Sequence, residues 1–253
     1  MHGTGRVEQI MGMPISIDVR DPHGDPGAVE AAFGWLRLVD ATFSTYRDDS
    51  AISRLNRGEL ARADADPDVH EVLLRCEQLR EETAGFFDAG APIPGAVDPS
   101  GLVKGWSVDR AARILDAAGA RNYHLNAGGD IRVRGCPETG RPWRVGIQHP
   151  LVPDRVAAVV EADDLAIATS GEYQRGHHIV NPHTGLPPSG VLSVTVVGPD
   201  LGTADAYATA AFAMGEAGPR WTARLRGYEA LTVLADETVM TTGGFPRAAD
   251  EGS

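Results

Sequence analysis

The sequence predicts an α+β fold in which mixed, mainly antiparallel sheets are flanked by helices. Helical periodicity dominates the chain up to about residue 120, and short β-type runs separated by turn residues dominate after it. One Ala-rich helix interrupts the β-type runs. Because strands and helices are clustered and do not alternate strictly, a doubly wound parallel sheet is disfavoured.

The first part of the chain contains one predicted strand and two predicted helices. Ile15, Ile17 and Val19 alternate with polar residues, as in a strand with one buried face. Apolar residues at three- and four-residue spacings predict helices over 27–42 and 68–83. The following segment, FFDAGAPIPGAVDPSG, is dense in Gly and Pro, and we expect it to be irregular.

The second part contains two more predicted helices and most of the strands. The helices run over 106–118 and 203–214, and a glycine ends each of them. The predicted strands are NYHLNA, DIRVRG, WRVGIQ, AAVVEA, LAIATS, LSVTVVG and ALTVLAD. We predict a single domain over 1–245, with two coupled lobes also compatible with its length, and a flexible tail over 246–253.

The composition restricts the partners. With 23 Lys and Arg against 35 Asp and Glu, the formal net charge is −12, which disfavours binding to nucleic acid or anionic membranes. No window has the length and apolar character of an integral membrane span, and no leader is recognisable, so we expect a cytoplasmic protein. Cys76 and Cys136 form no disulfide framework or repeated metal-binding pair, and we expect both to be structural.

TADAYATAAFAMG places Asp205 and Thr209 four residues apart on a predicted helix. Both side-chain oxygens then lie on one face, within reach of a shared ion. Magnesium commonly takes few protein oxygens together with substrate phosphate oxygens, so this pair is chemically sufficient. A helix cap and a threonine bonded back to its own helix explain the same residues.

Two glycine-containing segments could approach a ligand. In VDPSGLVKGWSVD, Asp98 and Lys104 flank a turn that leads into a helix, where amides and an ammonium can meet phosphate, although a solvated loop lysine is also common. In LNAGGDIRVRG, Gly128 and Gly129 allow a ligand close to the backbone while Asp130 orients it. A simple hairpin turn accounts equally well for the second segment.

The segment ATSGEYQRGHHIVNPHTG concentrates hydroxyls and histidines beyond the needs of a structural loop. A histidine here can act as a general base near neutral pH, or can simply lie on the surface. The spacing of the three histidines does not match the HExxH pattern of zinc proteases.

Taken in order, these segments resemble the FAD:protein FMN transferase (ApbE-type) family from Met11 to about Ala235. The segments that carry the resemblance are MGMPISI, FSTYRDDSAISRLNRG, TAGFFDAG, VDPSGLVKGWSVDRAA, LNAGGDIRVRG, ATSGEYQRGHHIVNPHTG and TADAYATAAF. The resemblance implies an ApbE-like fold, with FAD as substrate and Mg²⁺ as cofactor. It also implies an acceptor protein that carries a Thr or Ser flavinylation motif.

The resemblance also implies roles for individual residues. The implied FAD-contacting residues are Met11, Tyr46, Phe86, Phe87, Asp88, Asp98 and Lys104. The implied magnesium ligands are the Gly101 carbonyl and the side chains of Asp205 and Thr209. His178 matches the family histidine and is the candidate base. Asn181 and Ala208 depart from aspartates found in relatives, and the second departure predicts weaker magnesium binding.

The implied reaction is attack of the acceptor hydroxyl on the phosphorus at the FMN side of FAD, with release of AMP. Two alternatives use the same site. Water as the acceptor would make the protein an FAD pyrophosphatase that yields FMN and AMP. A carrier would hold FAD without cutting it, although such a protein has no need of a metal pair and a base.

Overall fold

The structure is a computed structural model that describes residues 4–21, 25–90, 95–138, 140–171 and 179–248. Within these residues the strands are β1 Thr4–Ile10, β2 Met13–Val19, β3 Tyr123–Ala127, β4 Asp130–Arg134, β5 Trp143–Gln148, β6 Val156–Ala162, β7 Asp164–Gly171, β8 Val191–Gly198, β9 Glu229–Leu234 and β10 Val239–Thr241. The helices are α1 Pro26–Phe43, α2 Ala51–Asn56, α3 Pro67–Glu82, α4 Ser100–Ala117, α5 Leu201–Ala213 and α6 Gly218–Thr222.

Eight strands form one sheet in the order β1-β2-β3-β4-β7-β8-β9-β10. Every pair in it is antiparallel. The chain leaves the sheet between β4 and β7 to form the separate β5–β6 hairpin, whose strands are also antiparallel. The predicted α+β class with mainly antiparallel sheets is confirmed.

Three hydrophobic clusters organise the layers. One side of the large sheet packs against α1, α4 and α5, with Phe33, Leu115 and Leu201 fully or almost fully buried. A second cluster lies among the helices and includes Leu79 and Trp106. A third cluster joins the β5–β6 hairpin to strands β4, β7, β8 and β9. The helices therefore occupy one face of the sheet, and the small hairpin covers part of the other.

Local chemistry explains why α1 begins where it does. Asp25 is the N-cap and its side chain accepts a hydrogen bond from the Gly27 N–H, while Pro26 occupies the first helical position, where no amide donor is needed. Apolar residues at helical spacing, including Val29 and Leu36, are then buried. The helix predicted over 27–42 is confirmed to within one residue at each end.

The main correction to the predicted elements concerns α4, which begins at Ser100 and not at residue 106. Gly101 and Lys104 therefore lie in its first turns and not in a loop before it. Glycine is unfavourable in the middle of a helix. Gly105 is nevertheless required inside α4. A Cβ at this position would lie 2.5 Å from the Leu201 carbonyl oxygen, so only glycine permits α5 to pack this closely.

Strand β1 was not predicted, because it is an edge strand with little inward alternation. Val7 is 63% exposed, and Arg6 and Glu8 take part in surface ion pairs. The short elements α2, α6 and β10 also lacked a pattern long enough to predict.

The first residues of the predicted tail form hydrogen bonds with β6. Pro246 accepts a hydrogen bond from the Glu161 N–H, and the Ala248 N–H donates to the Val159 oxygen. Residues 246–248 are therefore fastened to β6, whereas 249–253 lie outside the described residues. Across the described ranges, none of the helices is both long enough and apolar enough to span a membrane.

Candidate functional site

Several chain reversals meet at one end of the large sheet. Met11 and Gly12 join β1 to β2, and Gly128 and Gly129 join β3 to β4. The two turns are adjacent, because the Gly128 N–H donates to the Pro14 oxygen at 3.2 Å. The end of β7 lies beside the second turn. Antiparallel topology thus brings three segments that are distant in sequence to one place.

A cavity of about 1220 Å³ opens at this end of the sheet, between the turns and the helices α4 and α5. Most of the site residues predicted from the sequence line it: Met11, Tyr46, Phe86, Phe87, Asp88, Asp98, Gly101, Lys104, Gly128, Gly129, Asp205 and Thr209. Its volume exceeds the roughly 300–1,000 Å³ typical of small-ligand pockets, so a dinucleotide-sized molecule fits the space.

Helices α4 and α5 contribute Lys104, Asp205 and Thr209 to the wall. The Lys104 ammonium nitrogen lies 3.5 Å from Asp205 Oδ2. One turn further along α5, the Thr209 hydroxyl lies 3.3 Å from the Ser170 hydroxyl on β7. Asp205 is only 4% exposed, so its charge depends on a nearby cation. At this part of the wall, a lysine ammonium, an aspartate carboxylate and two hydroxyls therefore lie side by side.

Asp130 is placed differently from the prediction. Its side chain is fully buried and lies behind the cavity wall. It forms an ion pair with Lys104, and its Oδ1 accepts the Thr169 N–H at 3.0 Å. The carboxylate thus holds Lys104 and β7 in place, and the direct ligand contact inferred from the sequence is replaced by a supporting role.

The β3–β4 segment has the hairpin turn that its sequence allows, and its ligand-binding role stays a prediction. It is a two-residue hairpin turn with Ala127 opposite Asp130. Gly128 and Gly129 have φ of 60° and 102°, in the region that glycine adopts without strain. Both also line the cavity. Met11 lies in the same left-handed region, with φ of 54°, which is unusual for a residue with a side chain.

The segment after α3 supplies two of the aromatic residues of the wall, Phe86 and Phe87. The Phe87 N–H donates to the Thr83 hydroxyl at 3.0 Å, which fixes the start of the loop. Asp88 accepts from Arg80, and Asp98 accepts from the Ser100 N–H at the start of α4. These hydrogen bonds hold the two ends of the segment in place. As a result, the segment places four residues at the cavity: Phe86, Phe87, Asp88 and Asp98. Tyr46 is 96% exposed and lies at the cavity mouth.

The predicted metal ligands fit magnesium by donor type. Asp205, Thr209 and the Gly101 carbonyl are all hard oxygen donors, and all three residues line the cavity. Among the described residues, no group of three or more His, Cys, Asp or Glu is arranged to hold a metal ion. A metal at this position therefore needs oxygens from a bound substrate or water. Ala208 is fully buried in the core.

Four histidines bear on the predicted base. His178, like His177, lies outside the described residues. His183 is exposed, packs edge-on against Phe86 at 4.6 Å and makes a hydrogen bond with the Ala84 oxygen. His149 lines the cavity and is 8% exposed, but its Nδ1 accepts the Leu151 N–H and its Nε2 lies 3.7 Å from Glu237. The lone pair on His149 Nδ1 therefore already accepts a hydrogen bond.

Sequence reasoning missed the part of the wall that comes from the β5–β6 turn. The turn contributes Gln148, His149, Pro150 and Pro153. The end of α1, with Asp40 and Phe43, was missed as well.

The family model described as "ApbE family" matches residues 11–92 and 94–232. The chain belongs to the ApbE family. The match includes all the predicted site residues and both helices that carry the charged groups.

Two ApbE-type relatives, each named FAD:protein FMN transferase, align with much of the chain. The protein from Haemophilus influenzae is 36% identical over 244 residues, which cover 72% of this chain and 70% of the relative. The protein from Rhodobacter capsulatus is 35% identical over 241 residues, covering 87% of this chain and 42% of the relative. The alignment with a Vibrio cholerae relative covers 39% of that relative. The chain therefore spans less than half the length of some curated relatives.

Solved ApbE structures share the fold. The flavin transferase ApbE from Vibrio cholerae superposes with a TM-score of 0.84 at 26% identity, covering 96% of this chain and 98% of that one. The ApbE protein from Thermotoga maritima gives a TM-score of 0.87 at 23% identity, covering 98% and 100%. The arrangement of one large antiparallel sheet with helices on one face is thus the ApbE fold.

Proposed function

We propose that this chain catalyses magnesium-dependent transfer of the FMN part of FAD to a Thr or Ser hydroxyl of an acceptor protein, with release of AMP. The observation that carries the proposal is the wall formed by Lys104, Asp205 and Thr209. These groups meet at a cavity large enough for a dinucleotide, in a member of a family whose named relatives are FAD:protein FMN transferases.

The charges of the wall suit a pyrophosphate. The chain carries a net charge of −12, so an anionic ligand has to be held by local positive groups. Lys104 supplies one of these, and Asp130 keeps its ammonium at the cavity edge. Asp205, Thr209 and the Gly101 carbonyl would hold Mg²⁺, which when bound neutralises phosphate charge. The glycine turn at 128–129 lets the ligand approach the backbone.

The reaction requires one bond to form and one to break. The acceptor oxygen bonds to the phosphorus on the FMN side, and the bond from that phosphorus to the bridging oxygen breaks. AMP leaves with the bridging oxygen and its electron pair. Such transfers depend mainly on in-line positioning and charge stabilisation, so an enzyme nucleophile is not needed. The hydroxyl proton needs an acceptor, and we propose His178 for this role from its motif position.

The decisive experiment incubates the protein with FAD, Mg²⁺ and an acceptor protein that has the flavinylation motif. We expect AMP by chromatography and an acceptor whose mass has increased by one FMN unit. Replacement of the acceptor Thr or Ser by Ala should abolish the mass increase.

Each alternative gives a different result. Free FMN and AMP in equal amounts, without a labelled acceptor, would identify an FAD pyrophosphatase. FAD that binds but stays intact under every condition would identify a carrier. Either result contradicts the proposed transfer.

A further inference from the structure

Two aspartates hold the N-terminus of α5, and they belong to different parts of the fold. Asp200 is the N-cap of α5 and accepts the Thr203 N–H at 2.8 Å. Asp109 lies on α4, and its two oxygens accept the Leu201 and Gly202 N–H groups, each at 2.9 Å. Only the second aspartate ties α5 to another helix.

The two helices also touch through their backbones at this point. A Cβ on Gly105 would lie 2.5 Å from the Leu201 oxygen, and a Cβ on Gly202 would lie 3.1 Å from the Trp106 nitrogen. No side chain separates the helices here, so their spacing is set by backbone contact and by Asp109. We call Gly105, Asp109, Leu201 and Gly202 the α4–α5 joint.

The joint is about one helical turn from the groups that face the cavity. Gly105 directly follows Lys104, and Gly202 precedes Asp205 by three residues. Lys104 and Asp205 approach to 3.5 Å across the two helices. A shift of α5 along α4 would therefore change the distance between Lys104 and Asp205. A shift by a single residue corresponds to about 1.5 Å along the helix axis.

We propose that Asp109 is a positioning residue that fixes α5 against α4, so that Lys104, Asp205 and Thr209 face the cavity at a set spacing. Asp109 does not line that cavity. It faces a separate pocket of about 270 Å³ between α3, α4 and the start of α5. The inference rests on the proposed function to the extent that the cavity binds FAD and magnesium.

The test compares Asp109→Asn with Asp200→Asn. Each variant replaces a carboxylate at the N-terminus of α5 that accepts two hydrogen bonds. Asp109 accepts them from Leu201 and Gly202, and Asp200 accepts them from the Thr203 N–H and the Tyr228 hydroxyl. Both variants disturb the start of α5, but only Asp109→Asn loosens its link to α4. Circular dichroism at the assay temperature establishes that both proteins are folded.

The first readout is the Mg²⁺ concentration that gives half-maximal FAD binding. The fluorescence anisotropy of FAD measures the binding. We expect Asp109→Asn to raise it by about tenfold or more, because small misplacements of site groups have large effects. Asp200→Asn should leave it close to the wild-type value. Equal shifts in the two variants, or no shift in Asp109→Asn, would overturn the inference.

The second readout does not depend on FAD. Asp205→Asn is made in the wild-type, Asp109→Asn and Asp200→Asn backgrounds, and urea midpoints are measured. If Asp109 sets the position of Asp205, the effect of Asp205→Asn should differ between the wild-type and Asp109→Asn backgrounds and remain unchanged in the Asp200→Asn background. Additive midpoints in both backgrounds would overturn the inference. A wild-type protein that binds no FAD contradicts the proposed function alone, and this readout then decides the role of Asp109.

Discussion

Two buried carboxylates and one lysine lie together at the cavity wall. Asp205 and Asp130 are acidic and almost wholly buried in a protein that is already strongly acidic. Lys104 is the cation that both carboxylates contact. Burial of a charge is tolerated only when it is paired, so these three residues form one electrostatic unit and should respond to mutation together.

Asp205→Ala should abolish magnesium-dependent FAD turnover, because the only carboxylate among the proposed ligands is lost. AMP release measured by chromatography checks this. Asp200→Asn is the matched control, since Asp200 is the N-cap of the same helix but lies outside the cavity lining. Turnover by Asp205→Ala at the wild-type rate, or by the wild type in excess chelator, would remove the metal site from the mechanism.

Lys104→Ala should weaken FAD binding and also destabilise the fold by about 3–5 kcal/mol, because the buried Asp130 carboxylate loses its counter-ion. Urea unfolding and FAD titration measure the two effects. Asp130→Asn added to Lys104→Ala should restore much of the stability, since an amide needs no cation, but should leave FAD binding weak. Recovery of both properties would show that Lys104 serves only the fold.

At the scale of elements, the site depends on how α5 begins. Asp109 is largely surrounded by protein, and burial raises the pKa of its carboxyl to about 6, although the Leu201 and Gly202 N–H groups act to lower it. Asp200 adds to the rise and Arg132 opposes it. The joint between α4 and α5 therefore contains a carboxylate whose ionised form costs stability near neutral pH.

This raised pKa predicts a pH-dependent stability difference between the wild type and Asp109→Asn. Between about pH 4 and pH 6 the folded protein retains a proton on Asp109 that the unfolded chain has lost, so stability falls as pH rises. The wild type should lose up to about 3 kcal/mol relative to Asp109→Asn across this range. Urea midpoints of both proteins from pH 4 to pH 7 measure the difference. Parallel profiles would show that the carboxyl titrates normally.

For the whole molecule, the cavity joins the large sheet, the helical layer and the β5–β6 turn. A ligand that fills it contacts all three layers, so binding should stabilise the fold as a unit.

FAD with Mg²⁺ should therefore raise the thermal midpoint. At a ligand concentration about 100 times Kd the gain is about 2.7 kcal/mol, which corresponds to roughly 5–10 °C for a chain of this size. Differential scanning calorimetry with FAD, with and without chelator, measures the shift. An equal shift in excess chelator would indicate that FAD binds without metal. AMP with Mg²⁺ is a useful control for binding of one half only.

The sequence by itself determined the fold class, most of the longer elements and twelve of the 33 residues that line the cavity. Periodicity sufficed for α1 and α3, because their buried faces repeat at helical spacing. The pair Asp205 and Thr209 could be placed on one helix face from spacing alone. These features are local, so short stretches of sequence contain the information that specifies them.

Only the tertiary structure decided where α4 begins, what Asp130 contacts, and that the β5–β6 turn forms part of the wall. Gly105 suggests a helix break until α5 is packed against it. Asp130 resembles a ligand-facing turn residue until Lys104 and β7 enclose it. Asp109 has no local signal at all, because its partners are 92 and 93 residues away. Such contacts join residues distant in the chain, and no local pattern records the packing that brings them together.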